Sequence, residues 1–361
     1  MKVLSRETVA QRVTPGRIRW FRKEIIEVRG QEPLSVVRKR RHEGETHAPV
    51  VLVHGFGQNR YAWHMPERSM SNYLADLGFD VFNVDLRGHG RSEALGSERS
   101  RGVDDYIRGD LPAVIDRVLA LTGYSRTFMM GHSLGGLCAA AAAARQPEKV
   151  AGVVTMGPPH ALGRGHFVLG NMLRFAGHTV GRSGLLRGSQ RRLPLDLVGK
   201  ALHATRFAWD SKYAPIPVRG WKPGTFNADE LKSYLRSFDG ASWGTVNELF
   251  TLASSGELRS RLDGQSYTRI IEESALPLLA VSGSVDLLAN PGSVKPLFER
   301  SRASDKRYLE VDAGHGDLLV GKQAPEQVWP VVGKWLQSRI HYATPAQHVK
   351  AGSLSQIRKA G

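Results

Sequence analysis

Short, mostly apolar runs, separated by stretches with apolar residues three and four apart, recur along the first half of the chain. Residues 50–53 are wholly apolar, and 79–84, 127–130 and 150–156 are mostly so, with Asp80, Asn83, Thr127 and Thr155 as their polar members. A run without polar alternation suits a strand buried on both faces, so these four predict the middle of a parallel sheet. Residues 70–77, 104–121 and 134–145 carry helical spacing between them, with Gly78 and Gly123 where two of the helices stop. Strand-like residues 24–28 and 34–38, separated by Arg29-Gly30-Gln31-Glu32-Pro33, predict an antiparallel hairpin that opens the sheet. The pattern is that of an α/β chain with helices on both faces of a sheet.

After Pro158 the alternation stops. Residues 163–188 are rich in glycine and arginine, and residues 189–275 read as helices. Asn227 and Glu230 have the spacing of a helix cap pair, with Leu231, Leu235 and Phe238 on one face beyond it. Val246, Leu249, Phe250 and Ala253 form a second stripe, closed by Gly256. Strand character returns at 278–281 and 307–311, and a last helix spans 325–340. The chain thus divides into a core at 1–157, a cap at 158–275, a second core part at 276–341 and a polar, poorly ordered tail at 342–361.

Composition narrows the function classes. Fifty Lys+Arg against 34 Asp+Glu give a formal charge of +16, which attracts anions without selecting among them. No zinc-finger spacing, RNP-type aromatic motif or recognition-helix pattern accompanies it, so no specific nucleic-acid partner is expected. The single cysteine, Cys138, excludes an intramolecular disulfide and a thiolate metal cluster, and no metal or cofactor is expected. The start Met1-Lys2-Val3-Leu4-Ser5-Arg6-Glu7 lacks an apolar run of signal-peptide length, and no run is long enough to span a membrane. The expectation is a cytoplasmic protein, with peripheral membrane contact left open.

Candidate chemistry sits where strands end. Gly131-His132-Ser133-Leu134-Gly135 matches G-x-S-x-G directly after one apolar strand and before an alanine-rich helix. A sharp turn there would lift the Ser133 hydroxyl above the sheet and aim the Leu134 N–H at a developing oxyanion. A serine hydroxyl needs a base, and His315, in Ala313-Gly314-His315-Gly316-Asp317, comes after the last strand-like run. Asp286 lies just past the strand before it and is the preferred partner for the imidazole. Asp312 and Asp317 compete, but both are too near His315 in sequence to come from a neighbouring strand's loop. His54-Gly55-Phe56-Gly57, after residues 50–53, offers the Phe56 N–H as second oxyanion donor. His54, structural rather than catalytic, is placed with Gly55, His132, Phe167 and Met172 among the residues expected to contact substrate.

The stretches 51–57, Asp85-Leu86-Arg87-Gly88-His89-Gly90-Arg91-Ser92 and 131–136 together resemble the α/β-hydrolase superfamily. That resemblance implies an eight-stranded, mostly parallel sheet flanked by helices. It also implies a mostly helical cap inserted after the sixth strand and a Ser133/Asp286/His315 triad. Residues 54–61 and 314–321 are similar to acid-lipase-like hydrolases and to polyhydroxyalkanoate synthases; the synthases carry cysteine where this chain has Ser133. Cys138, five residues on, reads as a packed helix residue. The expected activity is hydrolysis of a small-molecule or lipid ester through an acyl-enzyme on Ser133. The alternatives are a serine acyltransferase and a non-catalytic lipid-binding homologue. Phe167, Leu169, Met172, Leu173 and Phe175 line an acyl tunnel or form the cap's own core. Arg174, Arg182, Arg187, Arg191 and Arg192 give the cap a cationic face, for anionic lipid, a substrate anion or plain solvation.

Overall fold

A computed structural model describes residues 2–165, 167–181, 183–205 and 220–345. Arg182 and residues 346–361, most of the expected tail, lie outside them. The strands, in chain order, are β1 (Lys2–Thr14), β2 (Arg17–Arg29), β3 (Pro33–Arg41), β4 (Pro49–Val53), β5 (Asp80–Asp85), β6 (Thr127–His132) and β7 (Val150–Met156). Then come β8 (Arg192–Leu193), β9 (Ala241–Ser242), β10 (Leu278–Gly283) and β11 (Lys306–Val311). Nine of them form one sheet in the order β1-β2-β3-β5-β4-β6-β7-β10-β11, while β8 and β9 pair as a short ribbon. From β5 to β11 every neighbouring pair is parallel; β1, β2 and β3 join antiparallel.

The resemblance implied eight strands, and the structure adds a ninth at the edge. β1 carries mostly polar, exposed residues and so has no apolar signature. Its backbone ladder to β2 holds it, with Arg6 bonded to Glu24 at 2.7 Å and Lys23 to Glu7 at 2.6 Å across the pair. For the same reason β2 starts at Arg17, earlier than the apolar run alone indicated. The cap comes after β7, which is the seventh strand only because β1 precedes the hairpin.

Alternation within the central strands builds two cores. Val50 and Leu52 of β4 join Phe79, Phe128 and Trp329 on one face of the sheet. Val51 and Val53 join Phe82, Met129 and the alanines of the Leu134–Arg145 helix on the other. Cys138 is fully buried within that helix, where desolvation pushes its thiol up. The long helix expected at 104–121 begins as a π-helical turn, Asp105–Asp110, and continues as the α-helix Leu111–Thr122. At the carboxyl end of the chain, Ser125 N–H bonds the Thr344 carbonyl at 2.9 Å, so the backbone stays docked past residue 342. Among the described residues, no helix is long and apolar enough to cross a membrane.

The segment expected to form a cap, 158–275, holds helices Phe167–Ala176, Leu195–Ala204, Ala228–Leu235 and Trp243–Ser255. Asn227 and Glu230 form the reciprocal capping box their spacing predicts. A further helix, Tyr267–Glu273, lies within the segment assigned to the cap but packs Tyr267 and Ile271 into the core beneath the sheet. Glu248 ties the cap to the core as well, its Oε2 accepting the Val103 N–H at 2.5 Å.

Burial pushes the Glu248 carboxyl up to about 8, against the Val103 bond that favours its charged form. The folded chain therefore keeps this proton after the unfolded chain, titrating near 4.5, has lost it. The group's favourable contribution is complete below the unfolded value and is lost as pH rises toward the folded one, at up to ~1.4 kcal/mol per pH unit. Glu248→Gln is expected to flatten the pH dependence of urea unfolding across that window. A slope unchanged from wild type would contradict the assignment.

Candidate active site

Ser133 stands between β6 and the Leu134–Arg145 helix at φ 53, ψ −129. Among the described residues it is the one non-glycine residue with positive φ. Such a conformation costs on the order of 1–3 kcal/mol and persists only where its surroundings enforce it. Here Ser133 N–H bonds the Met156 carbonyl at 2.8 Å, and Gly136 N–H returns to the Ser133 carbonyl at 2.9 Å. The flanking glycines are steric necessities. A Cβ at Gly131 would sit 2.3 Å from the Gly135 carbonyl oxygen, and one at Gly135 would sit 2.0 Å from that of His54.

The other two candidate catalytic residues leave the carboxyl ends of the next strands. Asp286 comes after β10, and its Oδ1 accepts the N–H groups of Leu288 and Ala289, both at 2.8 Å. Its Oδ2 lies 2.7 Å from Nδ1 of His315, which comes after β11; both side chains are buried. Gly157, at the end of β7, leaves the room they need, since a Cβ there would come within 3.1 Å of His315 Nδ1. The competing carboxylates are engaged elsewhere. Asp312 pairs with Lys222 Nζ at 2.6 Å, and Asp317 accepts the N–H groups of Gly314 and Lys222 at 2.8 and 2.7 Å.

Ser133 and His315 line one cavity of about 340 Å³, together with Phe56 and Leu134. Among the described residues, the N–H groups of Phe56 and Leu134 have no hydrogen-bond acceptor. Leu169, Leu173, Phe238, Val246, Leu249 and Phe250 supply much of the remaining wall, which is mainly apolar. Residues of the 158–275 segment and of the strand-end loops thus share the wall beside the serine.

Four expected substrate contacts stand elsewhere. Phe167 and Met172 are 82% and 65% exposed and do not line the cavity. Leu169 and Leu173, four residues apart, occupy the inward face of the same helix; apolar residues on both faces left that choice open to sequence reading. His54 is buried behind the loop, its Nδ1–H given to the Gly55 carbonyl at 2.9 Å and its Nε2 accepting the Leu86 N–H at 3.1 Å. Burial keeps it below the ordinary histidine pKa. Gly55 also lies outside the cavity wall, where a Cβ would meet Gln58, His132 and Ser133 within 3.0 Å. His132 does line the cavity, and burial drives its imidazole well below the usual range.

Gln58 was not legible in advance. Its Oε1 receives the Gly55 N–H at 3.2 Å and lies 3.0 Å from His132 Nδ1, tying the Phe56 loop to the serine's neighbour. Its position after Gly57 was the available clue, but a lone glutamine carries no chemical signature.

A parallel sheet with a strained serine after one central strand and an Asp–His pair after two later ones defines an α/β chain of hydrolase architecture. A family model of the alpha/beta hydrolase fold matches residues 48–322, and the chain belongs to that family. It is 23% identical to a poly(3-hydroxyalkanoate) polymerase subunit PhaC of Haloferax mediterranei, over 84% of this chain and 61% of that protein. It therefore spans under two thirds of that relative's length. Identity to human lipase member M is 26%, covering 78% of this chain and 73% of the lipase. Among solved structures, a soluble monoglyceride lipase variant of Saccharomyces cerevisiae superposes with a TM-score of 0.58 at 18% identity, covering 89% of this chain and 96% of that one.

Proposed function

We propose that the protein is a serine hydrolase of carboxylic esters carrying a medium-length apolar group. The observation that carries this reading is the strained Ser133 sharing an apolar cavity with the Asp286-bonded His315. His315 takes the Ser133 proton as Oγ bonds to the ester carbonyl carbon, and Asp286 steadies the imidazolium. The N–H groups of Phe56 and Leu134 hold the oxyanion. Collapse of the tetrahedral species breaks the ester C–O bond, and the imidazolium returns its proton to the departing alkoxide. Water, deprotonated by the same imidazole, then releases the acid and restores the serine.

The cavity wall argues for the substrate class. Each methylene moved from water into it gains ~0.8 kcal/mol, so kcat/KM should rise roughly fourfold per added acyl carbon until the space is full. A panel of nitrophenyl esters tests this. Leu249→Trp, which narrows the wall, should move the optimum to shorter chains. Activity confined to acetyl esters in both proteins would contradict the assignment. Acyl transfer is the second reading, favoured by the long match to the polymerase subunit; new esters formed with added alcohols at the expense of free acid would support it over hydrolysis.

The cap's outer face supports contact with anionic lipid. Phe167, Met172, Phe175 and Leu185 are exposed there, in a segment that also exposes Arg187 and Arg191. The protein should sediment with phosphatidylglycerol vesicles at low salt and lose that association as salt screens the charges. Equal sedimentation with zwitterionic vesicles, or none at low salt, would contradict it.

A further inference from the structure

A second cavity, of about 180 Å³, shares no lining residue with the one above Ser133. It lies among β1, β2, β3, β5 and the turn at Arg60–Trp63, with Ser71 and Arg91 reaching it from the helices Met70–Asp76 and Gly90–Ala94. Its wall carries four basic side chains, Lys23, Lys39, Arg60 and Arg91, and no acidic one. Lys23 pairs with Glu7 and Arg60 with Asp85; among the described residues Lys39 and Arg91 have no ion-pair partner.

Lys39 is the unusual member. It is 4% exposed, yet its Nζ is bonded only to Asn72 Oδ1 at 2.7 Å, with His64 Nδ1 more distant at 3.4 Å. A buried ammonium without a counter-charge costs several kcal/mol, so natural chains keep one where something offsets it. Burial, with Lys23 and Arg60 adding repulsion that Glu7 only partly offsets, drives its pKa well below that of an ordinary lysine, and His64 is driven down by burial and the same cations. Perturbed buried groups on the wall of a cavity make it a candidate binding site.

Two residues of the wall also carry acceptors that lack a donor. Asn83 Oδ1 and Gln11 Oε1 are both buried and unbonded. Flipping the Asn83 amide is no remedy, because its Nδ2 already donates to the Arg60 carbonyl at 2.9 Å. An occupant that satisfies this wall must bring negative charge for Lys39 and Arg91 and a hydrogen-bond donor for Asn83 and Gln11.

We propose that this cavity is a binding site for a small oxyanion that also bears a hydroxyl group, of the phosphate or hydroxycarboxylate class. The space holds several waters or one such ion. Inorganic phosphate, which keeps an O–H at neutral pH, is the probe, and sulfate, which keeps none, is its control. Titration calorimetry of the full chain at fixed ionic strength should show saturable phosphate binding and at least tenfold weaker sulfate binding. Lys39→Met should weaken phosphate at least tenfold without lowering Tm, because it removes the cost of burying that amine. Arg91→Ala, at a half-exposed position, should weaken it severalfold and decides the matter if Lys39→Met fails to fold. Ester turnover should stay within twofold of wild type in both variants. Phosphate heats no different from chloride, or phosphate binding undiminished in the folded variants, would overturn the proposal. Sulfate binding as tightly as phosphate would overturn its hydroxyl component.

Discussion

Ser133→Ala is expected to lower kcat on a medium-chain nitrophenyl ester by on the order of 10⁴- to 10⁶-fold, with the fold intact. The expected size comes from the absence of any substitute. Alanine removes the attacking oxygen, and the N–H groups of Phe56 and Leu134, the proposed oxyanion donors, would be left to polarise the carbonyl without forming a bond to its carbon. The elbow itself should survive. Its main-chain bonds to Met156 and from Gly136 do not involve the hydroxyl, and alanine meets the same cost at φ 53 that serine already bears. Circular dichroism and Tm near wild type, beside collapsed turnover, are the expected pair of readings. Activity within tenfold of wild type would place the nucleophile elsewhere.

Asp286→Asn should cost about 10⁴-fold in kcat, nearly as much, by a different route. The asparagine carbonyl can still accept the Leu288 and Ala289 N–H groups, so the turn after β10 is preserved. Its amide would then face His315 Nδ1 as a donor and leave the ring proton on Nε2. An imidazole in that tautomer cannot take a proton from Ser133, and no carboxylate remains to stabilise the imidazolium. Steady-state kinetics should show the loss in kcat with KM changed little, and Tm should move by only a few degrees. Asp312→Asn is the matched control: its carboxylate pairs with Lys222 at the surface, so turnover should remain near wild type. Comparable losses in the two variants would remove Asp286 from the reaction.

Legibility in the sequence tracked burial and backbone necessity. β4, β5, β6 and β7 are buried from end to end and could be read from their high apolar content, although β5 also buries Asp80, Asn83 and Asp85. The elbow was readable because close approach of the backbone dictates Gly131 and Gly135, and the capping box because two side chains must answer two orphan donors. β1 escaped because an edge strand held by its ladder needs no apolar face. The cap wall was readable only in part. Val246, Leu249 and Phe250 were singled out as a stripe, while the Phe167–Ala176 helix carries apolar residues outside as well as inside. Gln58 and the basic cavity escaped for a third reason. Their meaning comes from residues that meet only in the fold, in the cavity's case from four strands, a turn and two short helices, and nothing local in the sequence announces that meeting.

Labelling with a fluorophosphonate probe, and then peptide mass spectrometry, tests most directly whether the hydroxyl on the strained turn is an activated nucleophile. The expected result is one covalent phosphonyl group per chain, on the peptide containing Ser133, formed with loss of fluoride. It should be absent in Ser133→Ala and greatly slowed in Asp286→Asn. Ester turnover that persists with Ser133 unlabelled, or stoichiometric labelling at another side chain, would contradict the account.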